Sequence, residues 1–210
     1  MDINKQVLEV LAIHKGLDYH LESNSLSGEL FLPDGDSYEV EIQLERYPEL
    51  FPVVFETEGR IPNKMDRHIY TDTGSCCFTT AAKSQILLKI KIKSLLLFIE
   101  EIVVRYLENN SYYEINGEYS FEEYDHGSNG VVQSYQDILG INNIKSIGRL
   151  MIQRLKNDKL RIRDLCYCNS GNTLKKCSHG KHNEYYRQFR MIDKRILSND
   201  LQHFSNVLAL

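Results

Sequence analysis

Apolar residues recur at helical spacing over positions 3–15, where Ile3, Val7, Leu8, Val10, Leu11 and Ile13 form one face, and Gly16 supplies a stop. Two strand-like runs follow. Leu26 to Leu32 is the first. In the second, Tyr38, Val40, Ile42 and Leu44 alternate with Glu39, Glu41 and Gln43, an alternation that buries one face and wets the other. Pro33-Asp34-Gly35-Asp36 lies between them and is turn chemistry, because Pro fixes φ and Gly tolerates positive φ. An antiparallel hairpin is predicted. Val53 to Thr57 reads as a third strand, entered through Tyr47-Pro48-Glu49-Leu50-Phe51-Pro52, whose prolines exclude a central ladder position. Residues 58–85 show little periodicity and many turn formers, and long connections of that kind are usually functional. Lys93 to Glu108 predicts a helix with a broad apolar face, including Leu96, Ile99, Val103 and Leu107. Val131, Val132, Tyr135, Ile138 and Leu139 make a further helical face, ended by Gly140. Residues 140–165 read as a basic helical connector whose charge run from Lys156 to Arg163 is a solvated face. Residues 183–210 read as a closing helical tail.

Composition narrows the function classes. The 210 residues fit one or two domains, and 42% hydrophobic content supports a sizeable core. A formal net charge of -4 and a pI near 6.0 give no general attraction to nucleic acid. The longest apolar stretch, Ile86 to Leu107, is interrupted by Lys89, Lys91, Lys93, Glu100, Glu101 and Arg105, so no membrane span is expected. Met1-Asp2-Ile3-Asn4-Lys5 is not a signal peptide. Five cysteines in two tight clusters favour a reducing compartment and metal or catalytic use over a disulfide framework. These features predict a soluble cytoplasmic protein without nucleic-acid or membrane partners.

The first cluster lies in Arg67-His68-Ile69-Tyr70-Thr71-Asp72-Thr73-Gly74-Ser75-Cys76-Cys77-Phe78. A thiol held in a turn suits nucleophilic acyl chemistry; the alternative is a small core hydrophobe. His126-Gly127-Ser128-Asn129-Gly130 offers a histidine flanked by glycines, either a general base or loop-ordering donor or an exposed turn residue. The second cluster runs Cys166-Tyr167-Cys168 to Cys177-Ser178-His179. Zinc takes four S or N ligands in a tetrahedron. The Cys-x-Cys and Cys-x-His pairs supply Cys166, Cys168, Cys177 and His179, with His182 as the fallback fourth ligand; unmetallated surface thiols are the other reading.

Helix, antiparallel meander, cysteine-bearing irregular loop and helix, in that order, resemble the ubiquitin-conjugating (UBC) fold. The resemblance rests on Tyr47-Pro48-Glu49-Leu50-Phe51-Pro52, on His68, on Gly74-Ser75-Cys76-Cys77-Phe78 and on Phe98-Ile99-Glu100-Glu101. In that family a His-Pro-Asn triplet precedes the catalytic cysteine, which sits in a Gly-Ser-x-Cys-Leu context. The match implies Cys77 as nucleophile, with Cys76 as the neighbouring thiol and His68 as the triplet's histidine. Ile69 and Tyr70 stand where the family has Pro and Asn, which leaves aminolysis without its usual donor. Asn63 lies too far upstream to take that role. The segment at His126 resembles a His-Gly-x-x-Gly signature of bacterial UBC-like proteins. The second cluster resembles the SEC-C motif, with Asn169 replacing its first glycine and Ser178 separating ligands that are usually adjacent.

The fold expectation is therefore α+β: a UBC-like core over 1–125, a helical connector over 126–162, and a zinc-binding tail over 163–210. The combination resembles the stand-alone conjugating proteins of bacterial CBASS antiphage operons (type II-short). That resemblance implies a thioester between Cys77 and the C-terminus of a cGAS-like nucleotidyltransferase, and a possible acceptor lysine on a protein. No G-x-x-x-x-G-K-[ST] loop and no G-x-G-x-x-G fingerprint occurs in the sequence, so carboxylate activation is expected from elsewhere. The alternative is a non-catalytic binding module in which Cys76 and Cys77 are packing residues. A nucleic-acid-binding knuckle is weaker, since Lys175, Lys176 and Lys181 lack stacking aromatics.

Overall fold

The computed structural model describes residues 2–121 and 124–208. Met1, residues 122–123 next to the expected boundary at 125, and the last two residues of the expected tail lie outside the described residues. The chain divides into two compact units. One comprises residues 1–78 and 88–123, the other residues 79–87 and 124–210. The sequence suggested a cut near 125 followed by a connector and a separate tail. Instead the second unit takes in a segment from inside the first, and the connector and tail share one core.

In the first unit, α1 (Ile3–Ile13) is capped by Asp2, whose carboxylate accepts the Asn4 N–H at 3.0 Å. Strands β1 (Leu17–His20), β2 (Ser25–Phe31), β3 (Ser37–Gln43) and β4 (Val53–Glu56) form a four-stranded sheet in the order β1-β2-β3-β4. All neighbours pair antiparallel. The hairpin read from the alternation is β2–β3, with Leu26 opposite Ile42 and Leu30 opposite Tyr38, all four buried. β1 was not foreseen. Only Leu17 of its four residues is buried, so a short edge strand leaves no period in the sequence. The loop over 58–85 contains a 3-10 turn (Met65–Arg67), an isolated bridge between Ile69 and Cys76, and the start of α2 (Ala81–Ile90).

The predicted long helix is a composite of α3 (Leu95–Phe98), a π-helical segment (Ile99–Val104) and α4 (Arg105–Asn116). Phe98, Ile99, Val103 and Leu107 are fully buried along it. Ser94 caps its start by accepting the Leu97 N–H at 3.2 Å. Gln6, a buried polar residue of α1, accepts from the Leu95 N–H at 2.8 Å and the Tyr47 hydroxyl at 3.0 Å, so its carbonyl satisfies two donors that packing removes from water. Arg60 ties the β2–β3 turn to α4. It bonds both carboxylate oxygens of Asp36, reaches Glu114, and lies 4.0 Å over the Tyr38 ring.

The second unit is helical: α2 as far as Leu87, then α5 (Gly127–Leu139), α6 (Ile144–Leu155), α7 (Lys181–Phe189) and α8 (Lys194–Leu208). The closing tail is thus two helices. Tyr135, Phe189 and Phe204 are fully buried, with Tyr135 edge-on to Phe204 at 5.5 Å. The Tyr135 hydroxyl donates to Asp200 at 2.8 Å. Ala82 and Ile86 of α2 belong to the same core, and α2 adds a Gln85 carbonyl that accepts the Asp193 N–H at 2.7 Å. Among the described residues, no helix is long and apolar enough to cross a membrane.

Gly28 is a point where backbones touch. Its φ is 128°, and a Cβ there would lie 2.2 Å from the Gly16 carbonyl oxygen, which also accepts the Glu29 N–H. Backbone strain and a backbone clash act together, so Gly28→Ala is expected to cost about 2–4 kcal/mol. Urea unfolding followed by circular dichroism checks this, with a lowered midpoint expected.

Candidate functional site

The two cysteine clusters lie one in each unit. In the first unit, the 3-10 turn ends at His68, whose backbone is left-handed (φ 50°, ψ 46°). The chain then folds back on itself through a tight hairpin. Ile69 bridges Cys76, the Tyr70 N–H donates to the Ser75 carbonyl at 2.9 Å, and the Gly74 N–H to the Tyr70 carbonyl at 2.7 Å. Gly74, with φ 77°, makes the turn that other residues adopt only under strain. Two main-chain bonds fix the thiols. The Cys76 N–H donates to the Val54 carbonyl at 2.8 Å and the Cys77 N–H to the His68 carbonyl at 2.7 Å.

The His68 carbonyl also accepts the buried Tyr106 hydroxyl at 3.0 Å, and the neighbouring Arg67 carbonyl accepts it at 3.1 Å. Arg67 is itself buried, bonded to the Asn110 side-chain oxygen at 2.9 Å and stacked 4.3 Å from the Tyr113 ring. The His68 ring meets Tyr119 edge-on at 5.5 Å, and the residue contributes to the thiol's placement through its backbone carbonyl. Phe78 packs edge-on to Tyr106 at 5.1 Å.

The two thiols differ. Cys76 is 6% exposed, and burial pushes its thiol up to about 12, against weaker opposing hydrogen bonds to Tyr106 and the Glu56 backbone. Cys77 is partly exposed. Neighbouring residues of an extended segment point to opposite sides, so one thiol enters the core and the other leaves it. The Tyr70 phenol is raised above its ordinary range, first by burial and then by its hydrogen bond with the Cys77 side chain. Reading the sequence registered Tyr70 only as a missing asparagine. Tyr106 falls within the helix predicted over Lys93 to Glu108, and nothing in the spacing marks its hydroxyl as the support of the thiol loop.

His126 belongs to the second unit and stands exposed at the N-cap of α5. The glycines after it have backbone or packing reasons. Gly127 has φ 62°, and a Cβ on Gly130 would overlap the Asp125 carbonyl at 1.7 Å.

The metal-type cluster is built from a short bridge and two reversals. Leu165 bridges Thr173, and the Cys166 N–H donates to the Asn172 carbonyl at 2.8 Å. Asn169, at φ 61°, takes the left-handed position where the motif has glycine, and its N–H closes the Cys166-x-Cys168 turn on the Cys166 carbonyl at 3.1 Å. After Cys177, both Ser178 (φ 50°) and His179 (φ 53°) are left-handed. This double reversal leaves His179 exposed and starts α7 so that His182, in its first turn, is buried.

The fourth member of the cluster is consequently His182, and the expectation of His179 is corrected. Cys166, Cys168, Cys177 and His182 place one ligand atom each within 4.8 Å of one another. Cys168 Sγ and Cys177 Sγ are 3.3 Å apart, and Cys166 Sγ lies 3.2 Å from His182 Nδ1. A tetrahedron with metal–sulfur bonds of about 2.3 Å has edges of about 3.8 Å, so the donor set fits a metal ion with small adjustment.

The surroundings treat the thiols differently. Burial pushes the Cys166 thiol up to about 12. For Cys168, desolvation opposes ionisation, but hydrogen bonds from Ser170 and Cys177 outweigh it and hold the thiol near 6. The His182 ring packs on Tyr167 at 5.1 Å, and the Tyr167 hydroxyl donates to the Leu139 carbonyl at 2.7 Å. Cys166, Cys177 and Tyr167 are part of the core that contains α5–α8.

No family model matches the chain, and no match was found among curated proteins or solved structures.

Two outcomes are expected. Alkylation of the folded protein labels Cys77 well before Cys76, which reacts only on unfolding; site-resolved mass spectrometry reads the order. Elemental analysis should find about one metal ion per chain, retained in His179→Ala and largely lost in His182→Ala.

Proposed function

We propose that the chain is a ubiquitin-conjugating-like acyl carrier of the kind the sequence resemblance implies, with a structural zinc in its second unit. The observation that carries the reading is the asymmetry of the thiol pair: Cys76 is buried with its thiol raised, and Cys77 is partly exposed beside the Tyr70 hydroxyl. A packing-only role gives no reason for an outward thiol held by its own N–H to a carbonyl that Tyr106 also grips. Further support comes from the order of α1, four antiparallel strands, thiol loop and composite helix.

In this reading Cys77 Sγ attacks an already activated C-terminal carbonyl of a partner. A C–S bond forms as the bond to the leaving group, a thiolate or an adenylate, breaks, and the thiol proton passes to solvent. The partner inferred from the resemblance is a cGAS-like nucleotidyltransferase, with antiphage regulation as the setting. Zinc is the metal that a Cys3His set favours, and its binding would contribute directly to the stability of the second unit.

The test is intact mass spectrometry of the protein co-expressed with its partner and an activating enzyme. A thiol-labile adduct is expected, lost in Cys77→Ala and kept in Cys76→Ala; an adduct at wild-type level in Cys77→Ala overturns the reading. Aminolysis needs an oxyanion donor, and the Tyr70 hydroxyl is the donor beside Cys77. Discharge of the loaded protein to free lysine should be slow and should slow by about a hundredfold more in Tyr70→Phe. Single-turnover gels measure it, and an unchanged rate assigns Tyr70 to loop packing alone.

A further inference from the structure

A cavity of about 640 Å³ lies wholly within the second unit, between the loop that carries Lys159 and Arg161 and the face of α7 that carries Tyr186, Arg187 and Arg190. Its charge is one-sided. Among the described residues four cations line it and no aspartate or glutamate does, in a chain whose net charge is -4. Among the described residues none of these four side chains is ion-paired. The Nε of Arg190 is buried without a hydrogen-bond partner among the described residues, and so is that of Arg154, whose Nη2 reaches the Arg190 carbonyl at 3.3 Å. Buried guanidinium donors without acceptors are rare, and a bound acceptor is a common reason for them.

The wall is fixed before any ligand arrives. The Tyr186 hydroxyl accepts the Leu160 N–H at 3.0 Å, and the Ile162 carbonyl accepts the Lys175 N–H at 3.0 Å. The apolar and aromatic part of the lining comes from Leu160, Ile162, Tyr186 and Met191. The volume is that of a small-molecule site and far below what a nucleic-acid helix or a protein surface needs. Guanidinium groups bind phosphate oxygens in pairs, and apolar lining rewards a body that is not itself charged.

We propose that this cavity binds a small molecule that carries phosphate groups on a flat or apolar body. The site is independent of the thiol chemistry and of the metal cluster's own ligands.

Isothermal titration of the full-length protein with ADP and, separately, with inorganic pyrophosphate tests this. ADP should bind about tenfold or more tightly than pyrophosphate, because only ADP has a body to cover the apolar lining. Arg161→Gln/Arg187→Gln changes two exposed residues and should weaken both probes by about tenfold or more, with the thermal unfolding of the free protein unchanged. Absence of binding by either probe at about 1 mM overturns the site. Equal affinity in the double variant overturns its location, and equal affinity for the two probes overturns recognition of a body.

Discussion

The first unit closes on one carbonyl. His68 takes a left-handed backbone, which aims its C=O inward, and two donors meet there: the Cys77 N–H and the Tyr106 hydroxyl. A buried carbonyl needs hydrogen-bond donors, so the loop and the helix cannot move apart without stranding three polar groups. Arg67, one residue earlier, adds a second anchor to α4 through Asn110. The thiol loop is irregular in sequence, yet its geometry is over-determined. That is the condition under which a strained backbone persists.

The second unit depends on a different economy. Cys166 and Cys177 are core residues and cluster members at once. In an ordinary zinc knuckle the metal replaces a missing core. Here the cluster sits against Tyr167, Leu174 and the helices α5–α8, so the same sulfurs contribute apolar contact and donor atoms. Desolvation that disfavours a free thiolate at Cys166 is offset only when a cation neutralises it, which links packing to metal binding.

Much of this was legible in the sequence. The β2–β3 hairpin followed from strict alternation around a Pro-Asp-Gly turn, and the second cluster's spacing pointed to its three cysteines, with His182 held as the fallback to His179. What was hidden has physical reasons. β1 is an edge strand with one buried side chain. The π-helical segment preserves the apolar composition of the helix it interrupts, so periodicity reads through it. His182 replaced His179 because two consecutive left-handed residues rotate the chain, and Ser and His advertise no such preference. Tyr70 was invisible as a contributor because a family pattern asks what is missing, and a phenol in an asparagine's place answers a different question. The two-unit division is not contiguous, and no local composition shift marks residues 79–87.

That last segment has a consequence for how the chain is made. Ala82 and Ile86 belong to a core whose other members begin at Val132 and end at Phe204. During synthesis α2 leaves the ribosome about fifty residues before the first of its packing partners, at roughly several seconds' delay. For that interval its inner face has nothing of its own unit to cover it. A gene cut after position 125 would make this condition permanent, leaving the thiol-bearing unit with an orphaned apolar helix in its middle. The two halves are therefore separable as cores and inseparable as stretches of sequence.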